Sequence, residues 1–281
     1  VPRQGYLYTV IPKIIPFWQH LLPPEVSNTP WFSYNSLPLK WNIPTGVLFD
    51  LLLAGFPSSH PWQLTLHFTD FPTATLGEYT GEDSLKSIFR NSLKEASFIA
   101  KNSAQPVMDM VVGAREDHFK TFAPSITGNG GRNYHKYKEI MHSIPLISPD
   151  SLDSVPVRVY LRPGSVGTTY LSSYESITCT SRPVPVFAAD GQPTTLGGAL
   201  TPIIHAWLID HRKESGTVAA GEGEEEKNEI KAAWSQIDVA LGGGSGVELH
   251  PELILRDLHR DLCSIDFFLY FVLHMQPTTQ R

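Results

Sequence analysis

The chain has 281 residues, a formal net charge of −6, 41% apolar and 18% charged residues. That length suits two or three small domains rather than one, and the acidic balance gives no basis for a nucleic-acid partner or for broad electrostatic attachment to an anionic membrane. Two cysteines, Cys179 and Cys263, are too few for a disulfide framework and fit a reducing, intracellular setting, while no apolar run reaches the roughly 18 residues of a membrane span and no secretory signal is visible.

The chain starts at Val1 without a methionine, which reads as a fragment with something upstream. Tyr6 to Ile11 is apolar and fits either a strand or a helix. Pro12 suits a first helical turn, and Ile14, Ile15, Phe17, Trp18, Leu21 and Leu22 predict a crowded apolar helix stopped by Pro23-Pro24. Trp31 to Tyr34 and Leu37 to Trp41 alternate on either side of a tight turn, as in a hairpin. A second helix starts at Pro44, with Val47, Leu48, Leu51 and Leu52 as its buried stripe, and ends at Gly55. Trp62, Leu64, Leu66 and Phe68 then alternate with polar residues as a half-buried strand. Helix, hairpin, helix, strand is the remainder of a β-grasp module whose first strands precede the chain. This module spans residues 1–80.

Residues 81–150 read as a helix-rich connector. Leu85, Ile88, Phe89, Ala96, Ile99 and Ala100 recur at helical spacing, with Glu82 and Asp83 at the start and Lys101 at the end, as the helix dipole favours. At about 100° per residue, Lys94 lies about 180° from Leu85, facing away from that stripe, and Lys101 is nearly as outward. Val107 to Phe122 predicts a second helix. Gly128, Gly130 and Gly131 break the chain before a third short helix marked by Tyr134, Tyr137, Ile140 and Met141.

Residues 151–281 form the last module. Val155, Val157, Val159 and Leu161 alternate with Arg158 and Arg162, which this pattern turns outward. Val184, Val186 and Phe187 make a second strand before a turn at Asp190-Gly191, and Thr194 or Thr195 caps a helix from Leu196 to about Leu208. The acidic stretch Gly216 to Lys231 reads as a solvated loop. A short strand follows at Ile237 to Leu241, then a helix starting near Pro251 with Leu253, Leu255, Leu258 and Leu262. Phe267 to Leu273 has no polar alternation, so it is a central strand buried on both faces. Strand, strand, helix, strand, helix, strand is a complete β-grasp order. The fold class is therefore α+β, two ubiquitin-like β-grasp domains flanking a helix-rich domain.

Chemical motifs are scarce. Gly242 to Gly246 lacks the Lys-Ser/Thr of a phosphate loop and reads as a turn. His118, His135 and His142 lack metal-ligand spacing. Cys263 ends a helix beside Arg260 and is open to two readings, a thioester-forming nucleophile or a small buried hydrophobe. Trp31, Trp41 and Trp62 have no basic patch around them and read as core or interface aromatics. No catalytic residue, cofactor site or metal site emerges. The residues alone describe a non-catalytic, two-module interaction protein.

Leu37-Pro38-Leu39-Lys40-Trp41, followed by Pro44, Gly46, Leu48 and Asp50, resembles the PLKW segment of the autophagy protein 5 family. Pro61-Trp62, Leu66-His67-Phe68 and Phe71-Pro72 are similar to that family's PWxITVHFxxFP strand. Phe89 to Ala96, ending Leu93-Lys94-Glu95-Ala96, resembles its acceptor helix at the same spacing. Arg182-Pro183-Val184, Ala188-Ala189-Asp190-Gly191-Gln192 and Thr195-Leu196-Gly197 resemble its RPVAADGQxxTLG stretch, with Pro185, Val186 and Phe187 standing as an insertion. The match is strong over residues 31–100 and 182–200 and weaker in the connector and the acidic loop. A fungal-type, N-terminally incomplete member is expected, in which Val1-Pro2-Arg3 ends a second strand.

The resemblance implies that Lys94 accepts the C-terminal glycine of the ubiquitin-like autophagy protein 12 through an isopeptide bond. It implies a non-covalent coiled-coil partner, autophagy protein 16, held less well without the upstream helix. The conjugate would promote transfer of autophagy protein 8 to phosphatidylethanolamine on forming autophagosomes, at the preautophagosomal membrane, as a cytoplasmic and peripheral protein. Activating and conjugating enzymes would supply the catalysis. Two other readings stand beside it, a ubiquitin-like adaptor that is never conjugated and a conjugating enzyme using Cys263.

Overall fold

The computed structural model describes residues 3–18, 20–22, 29–53, 61–110, 119, 152–163, 171–215, 237–241 and 249–275. In the first module a 3-10 turn, Leu7–Val10, leads into α1, Ile11–Trp18. This helix stops at Trp18, short of the expected run to Leu22, because residues 20–22 are in a turn. Only Ile11 is buried, and Phe17 and Trp18, with Leu21 just beyond, are exposed. The predicted hairpin is present as β1, Trp31–Tyr34, and β2, Leu37–Pro38. Asn35 and Ser36 between them both have positive φ, the conformation that matches a two-residue turn to strand twist.

Helix α2 is Thr45–Leu53, with Val47, Leu48, Leu51 and Leu52 inaccessible as predicted. Gly55 lies outside the described residues. The chain from Arg3 to Gly5 crosses the start of α2, where the Gly5 and Arg3 carbonyls accept the N–H groups of Thr45 and Gly46. These are first-turn donors with no partner inside the helix. Arg3 sits in a turn here, and Val1 and Pro2, expected with it to end a second strand, lie outside the described residues. Strand β3 is Thr65–His67, shorter than the expected run from Trp62 to Phe68. It pairs antiparallel with the four-residue β1, so its ladder ends where β1 ends, and the sheet order is β2-β1-β3.

The first module ends with α3, Thr73–Leu76, and the connector contributes α4, Glu82–Lys101, and α5, Gln105–Met108. Within the second helix expected over Val107 to Phe122, the described residues hold a short helix from Gln105, whose N–H is taken by Ser103 Oγ, to Met108, and a helical Phe119; the rest of that stretch lies outside the described residues. Phe119 is described and buried, with its ring 5.7 Å from that of Phe89. The third helix, the glycine break and the three histidines lie outside the described residues.

The last module has β4, Ser154–Pro163, β5, Thr178–Pro185, α6, Leu196–Ser215, β6, Ile237–Leu241, α7, Leu255–Leu262, and β7, Leu269–Met275. The sheet order is β5-β4-β7-β6, with β4 and β7 parallel and the outer pairs antiparallel, the β-grasp arrangement. Thr195 Oγ1 accepts the Gly198 N–H at 3.2 Å and so caps α6, which runs past the expected end near Leu208. Pro251 lies in a turn and α7 begins only at Leu255. The acidic loop and the glycine run at 242–246 are outside the described residues.

Two apolar clusters organise the chain. One packs Val155, Val157, Val159, Leu161, Leu269, Phe271 and Leu273 from β4 and β7 against Leu196, Leu200, Ile203 and Ile204 of α6. The other joins Tyr160, Phe268, Tyr270 and Val272, on the opposite face of the same strands, to the first module and to α4. The central sheet of the last module is thus covered on both sides, which is why Phe267 to Leu273 carries no polar alternation. It also corrects the expectation for β4. Arg158 and Arg162 point not into solvent but into the contact with the rest of the chain. Arg162 is 4% exposed and donates to the Leu51 carbonyl, and His274 Nε2 lies 3.1 Å from the Asp50 carbonyl. Both partners are among the last four carbonyls of α2, which have no acceptor role inside the helix, and Arg162 brings positive charge to the negative end of its dipole.

Candidate functional site

Helix α4 carries the predicted acceptor. Glu82 and Asp83 sit in its first turn, Lys101 in its last, and Asn102 closes it in the left-handed conformation at φ 53°. Ser97 Oγ donates to the Ser103 carbonyl at 2.6 Å, tying the end of the helix to the following turn. The buried residues are Leu85, Phe89, Ser92, Leu93, Ala96, Ser97 and Ala100. Ile88 and Ile99, assigned to the stripe from periodicity, are only half-buried, whereas Leu93 is inaccessible. The buried face is turned toward Leu93 because α4 packs on β4, β5 and α5 of the fold.

That rotation moves Lys94 to the shoulder of the helix. At about 100° per residue it lies about 140° from the centre of the buried face, and its side chain is half-buried rather than fully exposed. Among the described residues its Nζ makes no hydrogen bond or ion pair. Lys86, by contrast, is tied to Glu82 at 2.9 Å. Glu95, the neighbour of Lys94 in sequence, is held by Arg158 at 2.7 Å. Arg90 and Asn91 are exposed about one turn before Lys94, and Phe98, one turn after it, is 57% exposed. Phe98 was not read as part of the site. Its signal is its position four residues from Lys94, an aromatic on the polar side of an amphipathic helix.

Beneath this face lies a polar cluster that the sequence did not reveal. Arg158 stacks on the Phe268 ring at 3.8 Å and donates to the Tyr270 hydroxyl at 3.2 Å. Tyr270 in turn donates to Asp266 at 2.7 Å. Asp266 is inaccessible, and burial pushes its carboxyl up, opposed by the nearby Arg158 guanidinium. Asp50, paired with Arg3, is pushed up to about 6 by burial, with Arg3 acting in the opposite direction. His259 is inaccessible with its Nε2 2.7 Å from the Phe267 carbonyl, and burial pushes it down to about 4.

Cys263 caps the end of α7 at 4% exposure, so its thiol is packed inside the chain. Cys179 is on the exposed edge strand β5, and both cysteines are free. Trp31, Trp41 and Trp62 are committed to packing. Trp41 is buried and donates to the Leu76 carbonyl, Trp31 stacks on His67 with centroids 3.9 Å apart, and Trp62 packs against Tyr34 and Phe49. No helix among the described residues is long and apolar enough to cross a membrane.

Residues 1–68 match the family described as "Autophagy protein ATG5, UblA domain", residues 82–144 "Autophagy protein ATG5, alpha-helical bundle region", and residues 154–273 "Autophagy protein ATG5, UblB domain". Autophagy protein 5 of Arabidopsis thaliana is 31% identical over 96% of this chain and 86% of its own length. That of Oryza sativa subsp. indica is 48% identical over 39% of this chain and 28% of its own. That of Pichia angusta is 31% identical over 57% of each. The crystal structure of Kluyveromyces marxianus Atg5 superposes with a TM-score of 0.61 at 22% identity, covering 96% of this chain and 84% of that one, and so shares the fold. Three matched segments in this order, with a relative aligned along nearly the whole chain, show that the protein belongs to the autophagy protein 5 family.

Proposed function

We propose that this chain accepts the C-terminal glycine of autophagy protein 12 on Lys94, in a three-module arrangement of residues 1–80, 81–150 and 151–281. The observation that carries the reading is the combination of a lysine without an ion pair among the described residues and a carboxylate neighbour, Glu95, already engaged by Arg158. Attack on a thioester carbonyl uses the nitrogen lone pair, and an Nζ not tied down by a carboxylate is free to reach it. The step forms an N–C bond at the neutral Lys94 Nζ and breaks the thioester C–S bond, and the proton lost from the nitrogen leaves on the carrier's thiol. Activating and conjugating enzymes supply the catalysis, and this chain is acceptor and scaffold. The conjugate, joined by autophagy protein 16 through a coiled coil, promotes lipidation of autophagy protein 8 at the cytoplasmic face of the preautophagosomal membrane, to which the complex is peripheral.

The test is reconstitution with the activating and conjugating enzymes, ATP and the modifier. A reductant-stable adduct that maps to Lys94, absent in Lys94→Arg but present in Lys86→Arg and Lys101→Arg, is the expected result. An adduct in Lys94→Arg mapped elsewhere overturns the assignment. A reductant-labile adduct would favour Cys263, whose burial argues against it. No adduct at all would favour a ubiquitin-like adaptor that is never conjugated.

A further inference from the structure

The stretch from Arg182 to Gly198 builds a groove of about 450 Å³ on the side of the last module that carries α6. One wall is the end of β5. A second is a tight loop in which Thr194 N–H donates to the Val186 carbonyl and Ala188 N–H to the Gln192 carbonyl, with Gly191 at φ 79° in its turn. The floor is the start of α6, at Gly198 and Pro202. Phe187 lines the groove and is 54% exposed. Thr194, also in the wall, is 7% exposed, and its hydroxyl has no hydrogen-bond partner.

Two features define what fits. Arg182 lies on the same face of β5 as the buried Val184 and lines the groove, and no carboxylate among the described residues pairs with it. It is a cation at the edge of a largely apolar concavity whose other charged lining residue, Asp190, accepts the Gln192 N–H at 2.9 Å within its own loop. In the β4–β5 register Pro156 faces Pro183, so neither residue can donate across the ladder and the pair is of the non-hydrogen-bonded kind. The polar backbone groups of Pro183, and by alternation of Pro185, therefore point away from β4. Prolines have no N–H, so this edge offers carbonyl acceptors and no donors at those positions. It resists pairing with a second sheet edge, yet it can receive N–H groups from a peptide laid along it. An acyl chain has no donor to offer these carbonyls.

We propose that this groove binds a short peptide segment that places a bulky apolar side chain beside Phe187 and an adjacent carboxylate on Arg182. The site is separate from Lys94 and does not depend on conjugation. Its volume is in the range of ligand pockets, enough for one or two apolar side chains. Gly198 supplies a plug. A Cβ there would meet nothing nearer than Thr195 Oγ1 at 3.5 Å, and its φ is not in the left-handed region, so a larger side chain is tolerated by the helix.

The experiment is fluorescence anisotropy of the full chain with a labelled peptide, Asp-Asp-Phe-Ile-Ser-Leu, and a control in which two lysines replace the aspartates. Saturable binding is expected, at least ten-fold weaker for the lysine peptide. Arg182→Glu and Gly198→Leu should each weaken it at least ten-fold, with unchanged thermal melts, while Lys94→Arg leaves it intact. Absence of binding by either peptide up to millimolar chain, or binding indifferent to both groove variants, overturns the proposal. So does displacement of a bound dye by oleate with no displacement by the acidic peptide, which would make the groove a lipid site.

Discussion

Arg158 of β4 donates to Glu95 of α4 across a 2.7 Å ion pair, joining the last module to the helix of the proposed acceptor at the position beside Lys94. Arg158 is 13% exposed and Glu95 45%. The two ends of the pair therefore differ in what their loss costs. Arg158 also faces the buried Asp266, so its removal leaves a carboxyl in the interior without its cation.

Arg158→Met should destabilise the chain by about 3–5 kcal/mol, the range for removing one partner from a buried charged cluster. Glu95→Gln should cost less than about 1 kcal/mol, as for an exposed pair. Urea titrations of the two variants check this, and equal small losses would show that Arg158 carries no buried charge.

Lys94→Arg keeps the charge and removes no core contact, so its stability should stay within about 0.5 kcal/mol of the parent. The same protein should form no isopeptide adduct. A thermal melt recorded on the sample used for conjugation separates lost chemistry from lost folding.

Phe268 and Phe271 are both inaccessible but face different clusters. Each change to alanine should cost about 3–5 kcal/mol. Hydrogen exchange should distinguish them, with Phe268→Ala loosening α2 and α4 and Phe271→Ala loosening α6. The same exchange pattern in both variants would mean that the sheet does not separate two cores.

The pH dependence has a defined sign at His259. Its folded value, about 4 against 6.5, is depressed by burial. The neutral ring thus contributes stability that is complete above 6.5 and is lost as pH falls toward 4, up to about 3 kcal/mol over that window. Asp50 acts oppositely. Raised from 3.8 to about 6, it contributes stability present below 3.8 that is lost as pH rises through 6. Replacing the histidine, His259→Gln, should flatten the loss between pH 6.5 and 4. An unchanged slope in urea midpoints across that range would remove His259 from the account.

Local patterns were legible where one residue's neighbours in sequence are also its neighbours in space. The stripe of α2, the hairpin at Asn35-Ser36, the Thr195 cap and the double burial of Phe267 to Leu273 follow from helical and strand periodicity and from turn and cap chemistry. The ordered motifs carried the family. Lys94 could be named from the Leu93-Lys94-Glu95-Ala96 match, but periodicity did not distinguish it from Lys101.

Tertiary packing decided the rest. An alternating strand pattern states only that two faces differ, not that the second faces water. The first module and α4 cover the polar-looking face of β4, and this turns Arg158 and Arg162 from surface residues into links between modules. The same contact sets which side of α4 is buried, brings Leu93 inside, places Lys94 at the shoulder and leaves Phe98 out. The sequence determined the elements and the family. Contacts between residues over a hundred positions apart, such as Arg162 with Leu51 and His274 with Asp50, were decided only in the folded chain, because burial and dielectric surroundings are properties of the assembled modules and not of any one segment.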